Sequence, residues 1–286
     1  MAVGAGNIWR FPRVAAAQGG GAFVLAWMVA LLVWSLPLLL LEYRWGSATG
    51  GSPLKVFTRK AGWQWVPAGG FVAVCCCAIM CYYSVVSGWC LLYLAQGAWL
   101  PPDRLSLQTW WNSTEGSLIS AAAAIAALFS AAFVVVRGVR SGIERVSKLM
   151  VPALFLLLCM AAVYAIMMPG AEAGISFLFE FDASRLADHR IWLEAFSQSA
   201  WSTGAGWGLM LVYAGYDRNS RFAVSNSFLT GFGNNLASIL AAMAIMSTLF
   251  AMLGRQDALS TAASGNQGLA FVWLPSLFLG MESGGR

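Results

Sequence analysis

The chain has 286 residues, of which 59% are hydrophobic and 10% charged, with a net charge of +5 and a mean hydropathy of +0.69. Soluble globular domains carry about 25% charged residues, so a disordered chain, a disulfide scaffold and an ordinary soluble enzyme are all excluded. The composition predicts an all-α, polytopic membrane protein.

In chain order, no Asp, Glu, Lys or Arg falls within residues 14–41, 61–102, 116–136, 149–171, 195–216 or 222–254. Each run is long enough to cross a hydrocarbon core of ~30 Å, which takes about 20 helical residues. The runs are continuously apolar and not alternating, which excludes a β-barrel. The first predicted segment, about 2–17, opens with Gly4-Ala5-Gly6-Asn7 and carries Arg10, and Gly19-Gly20-Gly21 predicts a tight turn after it. Spans follow at about 22–44, 68–99, 117–137, 147–168, 190–216 and 222–254, with an outer loop over 255–286, all in one domain, 1–286.

The charges between the spans alternate in sign. The loop over 42–60 holds Arg44, Lys55, Arg59 and Lys60 against Glu42, and the loop over 137–148 holds four bases against Glu144. Residues 169–194 instead hold Glu172, Glu180, Asp182, Asp188 and Glu194 against Arg185 and Arg190. Basic loops face the cytoplasm, so the N-terminus is expected inside. The positive balance is a topology signal and predicts no nucleic-acid partner. The six cysteines (Cys75, Cys76, Cys77, Cys81, Cys90 and Cys159) all lie in predicted spans, and the one histidine, His189, lies in a loop. No disulfide framework and no zinc spacing result, and the cysteines read as small packing residues. No His/Asp/Glu pair or Ser/Lys dyad falls in a span, so no enzyme is expected.

Two segments are unlike ordinary spans. The first joins glycines to an Asn and an Arg. The sixth reads Gln198-Ser199-Ala200-Trp201-Ser202-Thr203-Gly204-Ala205-Gly206-Trp207-Gly208, with three glycines in the middle of a crossing. Glycine costs about 1 kcal/mol in a helix relative to alanine, so an unwound centre is predicted. Irregular backbone at membrane depth is tolerated where it lines a cavity. Two interrupted helices, five spans apart, are the pattern of a transporter built from inverted repeats.

The segment Ala2-Val3-Gly4-Ala5-Gly6-Asn7-Ile8-Trp9-Arg10-Phe11-Pro12, followed by Gly19-Gly20-Gly21-Ala22-Phe23, closely resembles the first-helix signature of the neurotransmitter:sodium symporter family. Tyr82-Tyr83, the run from Arg140 to Lys148, and Gln198 to Gly208 match further family segments in order, and the resemblance covers essentially the whole chain. It implies the LeuT fold, with the first repeat and two helices of the second, in a bacterial-type member of the cell (inner) membrane. Family members have eleven or twelve helices; this chain resembles the first seven.

The resemblance also implies roles. Sodium would be held by the Ala2 carbonyl, Asn7, Ser202 and Asn234, Asn234 being chosen over Asn235 by register. A second sodium site would use the Val3 carbonyl, together with groups that the sequence does not contain. The Gly4 and Ala5 N–H groups and Tyr83 would take a substrate carboxylate, and carbonyls of Ala2, Trp201 and Ser202 its ammonium. Glycine at position 4, where amine-transporting relatives carry an acid, implies a substrate that brings its own carboxylate, hence an amino acid. Ile79, Gly204 and Trp207 would line its side-chain pocket. Arg10 would form an outer gate with an acid from a later helix, above an aromatic lid, Trp201. Gln198, Ser202 and Ser238 match a chloride site, with Trp27 in place of the family's tyrosine. The function implied is sodium-coupled symport by alternating access. The competing expectation is a truncated, non-transporting membrane protein that lacks helix eight onward.

Overall fold

The computed structural model describes residues 4, 6–101, 103–217, 220–263, 265, 269–273 and 275. These residues are almost entirely helical, and no strand occurs among them. The chain divides into two compact units, residues 1–76 with 155–264 and residues 77–154 with 265–286.

In the first unit a π-turn, Gly6–Arg10, runs directly into α1 (Phe11–Gln18), and Pro12 in the first turn of α1 has no N–H to offer the Ile8 carbonyl. The glycine turn then reverses the chain. Gly19 and Gly20 both have positive φ, 86° and 66°, and a Cβ on Gly20 would lie 2.0 Å from the Phe177 carbonyl oxygen. The Gly21 N–H donates to the Glu180 carbonyl at 3.1 Å. The turn is therefore clamped by the segment it packs on, and no larger residue fits.

The second span is one element, Gly21–Thr49, made of α2 (Gly21–Ala30), a π-turn (Leu31–Ser35) and α3 (Leu36–Thr49). Pro37 explains the widening. It has no N–H for the Val33 carbonyl and its ring crowds that oxygen, so the Leu36 N–H reaches back five residues to the Leu31 carbonyl. α3 extends beyond the expected end at residue 44, and the predicted loop over 42–60 also contains a short helix, α4 (Pro53–Lys60), capped by Ser52.

α5 (Val66–Gln96) and α8 (Arg145–Ile166) contribute to both units. α9 (Ala171–Phe179) occupies part of the predicted 169–194 loop. The sixth span is broken into α10 (His189–Thr203) and α11 (Leu209–Asp217). α12 (Ala223–Met252) is the most enclosed long helix, and α13 (Arg255–Ala263) follows it. α2 packs on α10, α3 on α11, and α12 on α3 and α9. The core is aromatic: Phe11 lies between Phe23 and Trp27, with ring centroids 5.8 and 4.3 Å apart, beside Val14, Leu178 and Ile191. α3 and α11 approach closely because Gly46 faces the backbone of Leu211. Small residues at such crossings are how helices associate where lipid offers no hydrophobic gain.

The second unit holds the central part of α5, α6 (Arg104–Thr114) and α7 (Leu118–Val136). α6 occupies a predicted loop and is capped by Asp103, whose side chain accepts from the Ser106 N–H at 3.0 Å. That bond holds the exposed Asp103 carboxyl below the usual range. Trp89 of α5 donates to Ser120 of α7 at 2.7 Å, and Trp111 of α6 stacks on Phe271 at 4.8 Å.

Among the described residues, five helices are long and apolar enough to cross a membrane: Gly21–Thr49, Trp63–Gln96, Leu118–Val136, Val139–Ile166 and Ala223–Met252. The other two expected spans are the interrupted ones. Cys77, Cys81, Cys90 and Cys159 are exposed, and Cys75 and Cys76 are half-buried.

Candidate functional site

Both helix breaks lie in the first unit, and the sequence explains each. At the first, the Gly4 N–H donates to Asn7 Oδ1 at 2.9 Å, and the Asn7 N–H donates to the Gly4 carbonyl at 3.0 Å. This turn competes with continuation of a regular helix. Gly6 is needed within it, since a Cβ there would meet the Trp201 ring at 3.0 Å. At the second break, α10 ends on Thr203, whose hydroxyl donates to the Ser199 carbonyl and accepts from the Ala205 N–H at 3.3 Å. Gly204, Gly206 and Gly208 then take φ of 69°, 86° and 73°, a region that costs other residues roughly 1–2 kcal/mol each.

Between the breaks lies a buried polar cluster. Asn7 Nδ2 donates to Asn234 Oδ1 at 2.8 Å, to the Asn234 carbonyl at 3.1 Å and to Ser238 Oγ at 2.7 Å. Asn234 Nδ2 donates to Ser202 Oγ at 3.0 Å. Asn7, Ser202, Asn234 and Ser238 are all at most 4% exposed. One side chain from the first break, one from α10 just before the second, and two from α12 thus converge. Asn235 borders the cluster: its Oδ1 accepts from Asn234 Nδ2 at 3.3 Å, and its Nδ2 donates to Met28 Sδ at 3.3 Å. The cluster offers amide and hydroxyl oxygens and no charged group, a donor set suited to a hard cation.

An acid at the end of the second predicted span, counted above with the charges of the loop over 42–60, belongs to this region. Glu42 lies inside α3, is 6% exposed, and accepts from three N–H groups of the second break: Gly206 at 2.8 Å and Gly208 at 3.1 Å through Oε1, and Leu211 at 3.3 Å through Oε2. These are donors that a helix restarting at Leu209 leaves without intrahelical partners, and a carboxylate there also meets the positive end of α11. The signal available was a single acid at the end of a long apolar run, which reads as a boundary when its partners are unknown.

Arg10 closes the π-turn. It donates to Gln198 Oε1, to Ser197 Oγ at 3.2 Å and to Glu194 Oε2 at 3.3 Å, all on α10. Gln198 in turn donates to the Gly6 carbonyl at 3.2 Å. Among the described residues the acid that meets Arg10 is Glu194, because α10 runs alongside the turn. Trp201 and Trp207 meet edge to face at 5.1 Å, and Cys76 Sγ donates to the Trp207 carbonyl at 2.7 Å. A Cβ built on Gly4 or on Gly204 meets nothing within 4 Å, so open space faces both. Trp27, fully buried, has an indole N–H with no hydrogen-bond partner among the described residues.

Three of the expected residues lie outside the described ones, and two belong to the other unit. Ala2, Val3 and Ala5 lie outside the described residues. Ile79 and Tyr83 lie in the second unit, where the Tyr83 ring meets Tyr82 edge to face at 5.5 Å.

Apolar helices of spanning length together with two broken ones, and an uncharged oxygen cluster at the breaks, define an integral membrane protein of the transporter class. The sodium:neurotransmitter symporter family model matches residues 1–117 and 115–283, and the chain belongs to that family. It is similar to an uncharacterized sodium-dependent transporter of Methanocaldococcus jannaschii, 32% identical over 287 residues, covering 96% of this chain and 58% of the relative. An uncharacterized sodium-dependent transporter of Bacillus subtilis is 30% identical over 285 residues, covering 97% and 61%. Among solved structures, MhsT in complex with L-phenylalanine superposes with a TM-score of 0.86 at 27% identity, covering 97% of this chain and 62% of that one. The chain therefore spans about three-fifths of the length of these relatives.

Proposed function

We propose that the chain forms the ion- and substrate-binding part of a sodium-coupled amino-acid symporter that works by alternating access, with its N-terminus cytoplasmic in a bacterial cell membrane. The observation that carries this is the convergence of Asn7, Ser202 and Asn234 on two helix breaks. Sodium would be held by the side-chain oxygens of these three residues, together with the Ala2 carbonyl, and would supply a positive charge next to a substrate carboxylate. The Val3 carbonyl is proposed for a second sodium.

An amino acid would fill the space facing Gly4 and Gly204. Its carboxylate would take N–H groups at Gly4 and Ala5 and the Tyr83 hydroxyl; carbonyls of Ala2, Trp201 and Ser202 would take its ammonium, with Ile79 and Trp207 beside its side chain. The Gly4 N–H is donated to Asn7 Oδ1, and one N–H carries one hydrogen. A carboxylate arriving at Gly4 would therefore displace Asn7 Oδ1 and free that oxygen for the ion. That exchange links substrate to sodium through one side chain. Amino-acid substrates are supported by MhsT, whose structure holds L-phenylalanine.

Gln198, Ser202 and Ser238 are the positions expected for chloride. Oxygen acceptors keep a second lone pair after one hydrogen bond, but a hydroxyl has one hydrogen. Ser238 donates its hydrogen to the Asn234 carbonyl at 3.3 Å, a bond that the hydroxyl would give up to donate to chloride.

The test is binding of radiolabelled L-phenylalanine to the purified chain in lipid nanodiscs, in sodium and in potassium. Saturable binding in sodium only is expected. Equal counts in both salts would overturn the reading and favour a non-transporting membrane protein.

A further inference from the structure

Arg10 donates to three side chains of α10, and the one that carries charge is Glu194. The two ends of this ion pair differ in setting: the Arg10 side chain is 17% exposed and that of Glu194 40%. A guanidinium enclosed to this degree in an apolar segment needs a compensating charge. The bonds continue inward. Arg10 holds Gln198 Oε1, and Gln198 Nε2 holds the Gly6 carbonyl. Gly6 begins the π-turn that carries Asn7, whose Nδ2 lies within hydrogen-bond distance of three acceptors of the polar cluster.

We propose that Glu194 is a positioning residue for the ion-binding turn. It fixes the Arg10 guanidinium, which aligns Gln198, which sets the Gly6 carbonyl and with it the place of Asn7. A carboxylate at the edge of the molecule thereby tunes the affinity of a cluster that it does not touch. Each link is an ion pair or hydrogen bond between named atoms, and the route stays within one unit of the chain. The inference rests on the sodium reading above for its functional consequence, but the ion pair can be tested without it.

The experiment measures thermal unfolding of the purified full-length chain in nanodiscs across a sodium titration at constant ionic strength. The variants are Glu194→Gln, Glu194→Asp, Arg10→Gln and the Arg10→Gln/Glu194→Gln double. Two results are expected. The sodium concentration giving half-maximal stabilisation rises about two- to fivefold in Glu194→Gln, the range that a partly exposed ion pair supports, and Glu194→Asp recovers part of it. Without sodium, the double variant melts no lower than the weaker single variant, because the pair acts as a unit.

A Glu194→Gln variant that loses stability with its sodium midpoint unchanged would overturn the positioning role and leave a structural one. Melting losses that simply add in the double variant would overturn the ion pair itself. A wild-type chain that sodium does not stabilise at all would refute the sodium reading, while the double-variant comparison would still decide the pair.

Discussion

Glu42 is where perturbation should be most damaging for a residue not placed at the ion or the substrate. Its carboxylate is the acceptor for Gly206, Gly208 and Leu211, at 2.8, 3.1 and 3.3 Å. Glu42→Ala removes all three acceptors from a buried position. An N–H left buried and unsatisfied costs about 1–3 kcal/mol, so three of them should cost roughly 3–9 kcal/mol. Glu42→Gln is a sharper probe. Two of the three bonds go to Oε1, and a glutamine can present its carbonyl oxygen there, leaving only the Leu211 N–H unmet. Charge-assisted bonds are also roughly twice as strong as neutral ones, so the expected loss is about 1–3 kcal/mol. The assay is unfolding of the purified chain in mixed micelles by titration with sodium dodecyl sulfate, followed by tryptophan fluorescence and helical circular dichroism. The order wild type, Gln, Ala is expected. An Ala variant within about 0.5 kcal/mol of wild type, the range of an ordinary surface substitution, would refute the reasoning. So would a Gln variant as damaged as Ala.

Three further predictions concern glycines. Gly206→Ala should destabilise by about 1–2 kcal/mol through backbone strain alone, since φ is 86° and the nearest atom to an added Cβ is Leu38 Cδ1 at an ordinary 3.7 Å; an unchanged unfolding midpoint would contradict it. Gly46→Ala should cost about 1–3 kcal/mol by overpacking, because its Cβ would lie 2.0 Å from the Leu211 carbonyl oxygen; retained stability would mean that α3 and α11 are not held together as described. Gly4→Asp has open space for its side chain, so it should fold normally. It should weaken L-phenylalanine binding at least tenfold while admitting phenethylamine, which lacks the carboxylate; unchanged selectivity in a competition assay would remove the substrate from Gly4.

Much of this architecture is legible in the sequence because the membrane imposes long-range rules. The charge-free runs mark the spans, and the glycines at 204, 206 and 208 mark a break that only glycine can make cheaply. The convergence of Asn7, Ser202 and Asn234 comes from family register and not from any local pattern, since the first and last are separated by 227 residues. Glu42 was not legible: an acid at the end of an apolar run looks like a loop residue until the N–H groups it serves are known. The Glu194 partner of Arg10 was hidden for a similar reason. Glu194 is counted with the acidic stretch 169–194 although it also falls in the predicted span over 190–216, and only the packing of α10 (His189–Thr203) beside the first break shows its partner. The short helices α4, α6 and α13 were missed because hydropathy identifies spans and says little about polar helices between them. Their ends are better marked by caps such as Ser52 and Asp103.

The central claim is that Asn7, Ser202 and Asn234 form a sodium site. It is tested most directly by the sodium dependence of thermal stability in wild type and Asn234→Ala, at constant ionic strength with potassium as the counterpart. The account predicts saturable stabilisation of wild type by sodium and not by potassium, and a rise of at least about tenfold in the sodium midpoint for the variant, equal to about 1.4 kcal/mol of lost ion affinity. Superimposable sodium titrations for a folded Asn234→Ala variant and wild type would contradict it.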